Sequence, residues 1–225
     1  MVNIDTVYQK VLMLVNKEQR GYITPQEFNL FADQAQKEIF EQYFYDLNQF
    51  SRIHGQEAEY IDIVTNINEK ISGFETTSSI TSGSIQIGTD PLYRLGAVYS
   101  GSGMVVEEVQ QSDLAYMLAS PLLEPSISHP VYVRLTETTI NSYPNNIAAS
   151  CDYIRTPVSP SWAYVVVGGK AMRDSTSAIN FELHPAEESE LVYKILKYAG
   201  ISMDKINIFQ AGQVQEQSMT QQEKQ

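Results

Sequence analysis

The chain has 225 residues, enough for one large or two small domains, and its 43% hydrophobic content is ample for a core. Its 15 Lys and Arg against 27 Asp and Glu give a formal net charge of -12, which argues against a phosphate-gripping surface, because nucleic-acid affinity comes chiefly from basic side chains that displace counterions. No apolar run approaches the roughly 18 residues of a membrane span, MVNIDTVYQK holds no signal-peptide core, and the single cysteine, Cys151, leaves neither an intrachain disulfide framework nor a zinc cluster.

Asn3 to Lys17 places Ile4, Val7, Val11, Leu14 and Val15 at helical spacing after an Asn cap, which predicts an amphipathic helix. Gly21 is a plausible left-handed stop for it, with Lys17 and Arg20 suited to the negative end of its dipole. Thr24, Pro25 and Glu27 then read as an N-cap, a first helical position and the third-position partner of a capping box. The helix they start should run to about Arg52, roughly 40 Å at 1.5 Å per residue. Phe28, Phe31, Ala32, Ala35, Ile39, Tyr43 and Leu47 form its apolar stripe. Phe40, Phe44, Tyr45 and Phe50 widen the stripe beyond what one helical partner covers, so a second contact is expected, either the chain's own β region or a neighbouring subunit. Tyr60, Val64, Ile67 and Ile71 suggest a third helix.

From Gly73 the composition turns to Ser, Thr, Gly and β-branched residues. Strands are expected at 74–80, 84–87, 93–99, 104–109, 131–136, 138–142, 147–155, 163–167 and 179–183. Ser100-Gly101-Ser102-Gly103 and Gly168-Gly169 read as tight reversals, since glycine tolerates positive φ. Ser112 and Asp113 are candidate caps for a short helix through Ala119. The expected arrangement is an antiparallel sheet, sandwich or small barrel interrupted by one helix.

At Pro185 the pattern is helical again, with Leu191, Ile195, Leu196 and Ala199 on one side, a Glu190 to Lys194 pair, and Gly200 as its expected stop. This helix is expected to pack on the sheet. Beyond Asp204 the chain is glutamine-rich and polar, a composition that orders on a partner rather than alone. The fold class is α+β: an N-terminal helical bundle (1–72), a central antiparallel β domain (73–183), a C-terminal helix packing back (184–203) and an extended docking arm (204–225).

Catalytic signatures are sparse. His54, His129 and His184 have no two-histidine metal spacing, and the latter two precede prolines, so structural roles are expected. Gly168-Gly169-Lys170 lacks the upstream glycine and the following Ser or Thr of a phosphate loop. Cys151 lies in an alternating strand pattern, away from any histidine. Glu107 and Glu108 are neighbours on a strand and point to opposite faces, whereas Glu187 and Glu188 suit the dipole of a helix start. No catalytic, cofactor or metal residue is assigned.

The segments NKEQRGYITPQEFNLFADQAQKEIFEQYF, NFELHPAEESELVYKILKYAGISM and QAGQVQEQSMTQQEKQ together resemble a family of virion structural proteins of short-tailed bacteriophages, including the crAss-like phages. The resemblance covers both ends of the chain and the β region only in the order of its elements. It implies a ring-forming head-to-tail connector, an adaptor beside the portal, assembled in the host bacterial cytoplasm as a dodecamer and carried in the virion. The implied partners are other copies, the portal protein and neighbouring tail or ring proteins, with DNA only as passing cargo and no membrane. No enzymatic activity and no cofactor are expected. From the residues, the candidate subunit contacts are Phe40, Phe44, Tyr45 and Phe50 on the long helix, and Ile206, Ile208, Phe209 and Val214 in the arm. Asp113, Glu124 and Asp174 are candidates for an acidic, low-friction channel wall. The alternatives are a soluble assembly chaperone or binding module that uses the Ser/Gly-rich loops near Ser82 and Ser102, and, third, a carboxylate-dependent glycosidase.

Overall fold

Asn3 starts the first helix, α1 (Ile4–Lys17), its Oδ1 accepting the Asp5 amide N–H at 2.9 Å. Thr24 and Glu27 start α2 (Pro25–Ser51) as a reciprocal capping box: the Glu27 carboxylate accepts the Thr24 amide N–H at 2.9 Å, and the Thr24 hydroxyl accepts the Glu27 N–H at 3.2 Å. The Thr24 amide bond, and the Thr24 hydroxyl that donates to the same carboxylate at 2.8 Å, hold the Glu27 carboxyl below its ordinary range, the backbone bond contributing most. The computed structural model describes residues 1–17, 23–51, 58–88, 91–202 and 213–214. The expected stop at Gly21, with Arg20 and the Lys17 side chain, lies outside them.

The chain divides into two compact units, Met1–Gly73 with Pro157–Gln225, and Phe74–Thr156. In the first, α2 packs against α3 (Ala58–Ser72), and both α1 and α2 pack against the last helix. Val7 and Val11, Ala32 and Ala35, Ile67 and Ile71, and Leu191 and Ile195 are the buried faces that meet in this bundle.

The second unit carries β1 (Glu75–Thr81), β2 (Ser84–Ile85), β3 (Leu92–Ser100), β4 (Val105–Glu108), the short helix α4 (Gln111–Ala119), β5 (Val131–Arg134), β6 (Ile140–Tyr143) and β7 (Ala148–Arg155). The sheet order is β2-β1-β7-β3-β4-β5-β6. Its two ends also meet: Ser84 bridges Thr139, the Ile85 N–H donates to the Thr138 carbonyl at 2.9 Å, and the Ile140 N–H donates to the Gly83 carbonyl at 2.8 Å. The sheet therefore closes on itself as a small barrel, which removes the free edges an open sheet exposes. Ile80, Ile85, Val98, Val106, Tyr132, Ile140 and Cys151 fill its core, each strand contributing. On the outer side Leu114 of α4 covers Val131 and Val133, so β5 is buried on both faces.

The α+β class holds, with differences of detail. The pair β4 and β5 is parallel, making the sheet mixed, because the intervening α4 supplies a crossover rather than a reversal. The short helix is preceded by Gln110, with no side-chain cap from Ser112 or Asp113. Residues 179–183 form only single bridges, Ser161 with Ile179 and Val2 with Phe181, although Phe181 and Leu183 are buried in alternation. The Glu182 N–H donates instead to the Gln36 side-chain carbonyl at 3.1 Å, so a side-chain amide stands where a strand partner would.

Residues 157–183, expected in the β domain, belong with the helical unit and contain an independent hairpin, β8 (Tyr164–Val167) and β9 (Lys170–Arg173). A single 3-10 turn, Pro185–Glu187, leads into α5 (Glu188–Ser202). That helix packs on α1 and α2, joining the helical unit, and it runs past Gly200, which is buried within it. Among the described residues no helix is long and apolar enough to cross a membrane.

Candidate functional site

In the helical unit a cleft of about 290 Å³ opens where the later turns of α2, the later turns of α3 and the start of α5 converge. Ile39, Tyr43, Phe50, Ile63 and Ile67 give it an apolar wall. Among the described lining residues, Asp46, Glu69, Glu187 and Glu190 supply carboxylates and Lys70 an ammonium. Lys70 Nζ sits 2.6 Å from Glu187 Oε1 and 5.5 Å from the centre of the Tyr43 ring, so its charge is held by both an anion and a π face. Beside the cleft, the buried Lys194 ammonium lies 3.2 Å from Glu38 and 3.5 Å from Glu190, and the Tyr198 hydroxyl donates to Glu38. Burial, reinforced by the Glu38 carboxylate, pushes the Tyr198 phenol up to about 12. His184 at the rim accepts the Ala186 N–H on Nδ1 at 3.3 Å, capping the 3-10 turn.

The β8–β9 hairpin is the second feature of this unit. Gly168 (φ 59°) and Gly169 (φ 77°) form its two-residue turn, a conformation that needs positive φ at both positions. Its base is tied down. The Trp162 indole N–H donates to Asp5 Oδ1 at 3.0 Å, Arg173 reaches Asp5 Oδ2 at 3.3 Å, and the Tyr8 ring stacks on Trp162 at 4.1 Å. Asn29 adds a two-way clasp, accepting the Trp162 N–H at 2.8 Å and donating to its carbonyl at 3.4 Å. Above that base Val165, Val166, Val167 and Met172 are each more than half exposed. The register pairs Val165 with Met172 and Val167 with Lys170, so Val165, Val167 and Met172 share one face.

Of the proposed contact residues on α2, Phe40, Phe44 and Phe50 are buried within the chain and only Tyr45 is exposed, at 62%. Phe40 and Phe44 pack edge to face, 5.1 Å between centroids, and Phe50 lines the cleft. The aromatic surplus is thus largely covered by the subunit itself, which corrects the expectation that it awaits another chain. Val214 is exposed, whereas Ile206, Ile208 and Phe209 lie outside the described residues, as does His54.

The residues weighed for chemistry stay apart. Cys151 is fully buried in the barrel, and burial pushes its thiol up to about 11. Glu108 accepts the Tyr132 hydroxyl at 3.2 Å, while Glu107 is exposed. His129 is exposed, its N–H closing a turn onto the Ser126 carbonyl at 3.1 Å. Among the described residues no three His, Cys, Asp or Glu side chains gather as a metal site. Asp113 sits on α4 and Glu124 beyond it, both exposed, and Asp174 accepts the Thr176 N–H at 2.9 Å. The reversal at Gly168 and Gly169 was expected, whereas the returning strand Lys170–Arg173, the exposure of the hairpin and the cleft were not anticipated. No protein-family model matches the chain, and no curated protein matches its sequence.

Proposed function

We propose that this chain is a structural subunit of a virion ring at the portal vertex, joining a phage head to its tail around the DNA channel. The observation that carries the assembly part of the reading is the β8–β9 hairpin. An isolated two-stranded hairpin is marginal in water, and one that presents Val165, Val166, Val167 and Met172 to solvent is suited to a protein partner. Leu122 and Ile127, 92% and 69% exposed beyond α4, add uncovered apolar surface in the barrel unit. The placement at a portal vertex rests on the resemblance of the two chain ends.

In this reading the chain is not an enzyme and holds no cofactor; its partners are its own copies, the portal protein and adjacent tail or ring proteins, and DNA passes without being gripped. The net charge of -12 supports the last point, since carboxylates repel phosphates. Quantitative mass spectrometry of purified particles tests the reading. The chain should be present at one fixed stoichiometry to the portal protein. Abundance in the cell with absence from particles would favour an assembly chaperone.

A further inference from the structure

We infer that the barrel opens at one seam, between β2 and β6, while its other strands stay paired, so that the closed fold carries a gate. The seam is its thinnest joint. Among the described residues, β2 meets the far end of the sheet through the Ser84–Thr139 bridge and the two bonds that flank it, from the Ile85 N–H to the Thr138 carbonyl and from the Ile140 N–H to the Gly83 carbonyl. The other joints are longer or braced. β1 pairs with β7 from Glu75 to Ser79, β5 pairs with β6 over the whole of Val131–Arg134, and β3 pairs with β4 beside the turn that connects them. The parallel joint of β4 and β5 is short, yet Leu114 packs over Val131 and the Tyr132 hydroxyl donates across the joint to Glu108 at 3.2 Å.

Each side of the seam is held elsewhere. β2 stays with β1, since Ile80 pairs with Ile85, the Gln86 N–H donates to the Ser79 carbonyl at 2.9 Å and the Ser78 hydroxyl donates to the Gln86 carbonyl. β6 stays with β5, and its Ser142 hydroxyl accepts the Ala148 N–H at 3.1 Å. No side chain interlocks the seam at Gly83, where a Cβ would lie 2.5 Å from the Ile140 carbonyl oxygen. Ile85 and Ile140 are buried beneath it, and their burial keeps the closed state the resting one. Local opening, at a cost below global unfolding, falls where pairing is thinnest. It frees backbone groups of Gly83, Ile85, Thr138 and Ile140, and so gives the barrel a sheet edge that closure hides.

Amide hydrogen exchange of the full-length protein, read by NMR, tests the gate. The Ile85 and Ile140 amides donate across the seam from opposite sides, so they should exchange with equal protection, and at least about a hundredfold faster than the slowest amides of β7. A disulfide staple supplies a second arm. Ser84 and Thr139 are a cross-strand pair flanked by hydrogen bonds rather than joined by them, the arrangement that brings Cα atoms closest, so Ser84→Cys with Thr139→Cys can close without moving either strand. The native Cys151 is buried and stays silent. The oxidised staple should slow the Ile85 and Ile140 amides by a larger factor than any β7 amide, and reduction should restore their fast exchange. Exchange of Ile85 and Ile140 at the β7 rate, unequal protection of the two, or fast exchange through the intact staple would each overturn the inference.

Discussion

Glu187 and Lys70 form an ion pair of 2.6 Å in which the carboxylate side chain is 3% exposed and the ammonium side chain 24%. The pair ties the end of α3 to the turn before α5, and thus holds two walls of the cleft. Removing one partner strands a buried charge, which costs far more than the pair itself contributes. Lys70→Met should lower stability by about 3 kcal/mol, at the low end for a buried pair because Lys70 reaches water. Adding Glu187→Met should recover part of it. Urea unfolding of the two single variants and the double variant measures the coupling; equal and additive small losses would place the pair among surface salt bridges.

Gln36 should prove as important as any apolar core residue. Its fully buried amide donates to the Val158 carbonyl at 2.8 Å and accepts the Glu182 N–H at 3.1 Å, fastening both ends of the 157–183 segment to α2. Gln36→Leu leaves two backbone groups unpaired and should cost about 2–4 kcal/mol. Amide hydrogen exchange at Glu182 should accelerate in that variant, a change that a simple packing loss would not single out.

Closure of the barrel depends on Gly83. Its φ is +78°, and a Cβ there would lie 2.5 Å from the Ile140 carbonyl oxygen, against the strand whose N–H it holds. Gly83→Ala should destabilise the chain by at least about 2 kcal/mol, combining the left-handed penalty with the clash. Ser82→Asn, at φ 51°, should be neutral or slightly stabilising, since Asn tolerates that region. Calorimetry of the two variants separates the steric account from a general intolerance of the turn.

High pH should unfold the protein for a specific reason. Folding raises the Cys151 thiol from 9.0 to about 11 and the Tyr198 phenol from 10.0 to about 12, in both cases chiefly by burial. The unfolded chain then binds fewer protons than the folded one, so the stabilisation is complete below pH 9 and is lost as pH rises through 11 to 12. Urea midpoints should fall across that window. Cys151→Ala should flatten the first part of the fall, and an unchanged slope would assign it elsewhere.

Local chemistry was the legible part of this sequence. Thr24 and Glu27, three positions apart, define a helix start without help from the rest of the chain, as Gly168 and Gly169 define a reversal. What could not be read depends on partners distant in sequence. Ser84 and Thr139 close the barrel, and nothing in either neighbourhood announces the other. Gln36 interrupts an apolar stripe, and its role rests on two backbone groups far along the chain. The breadth of the aromatic face on α2 was evident, but breadth alone does not say what covers it, and Phe40, Phe44 and Phe50 turned out to be covered at home. Lys70 and Glu187 likewise meet only after α3 and α5 have packed, so the cleft had no sequence signature. The α4 segment did carry one unused signal: a helix between two strands permits a parallel pair.

The most direct test of the central claim is electron microscopy of purified particles carrying a label on this chain. The account predicts a single ring of labelled density between portal and tail, concentric with the DNA channel. A label absent from particles, or spread over the capsid shell, would contradict it.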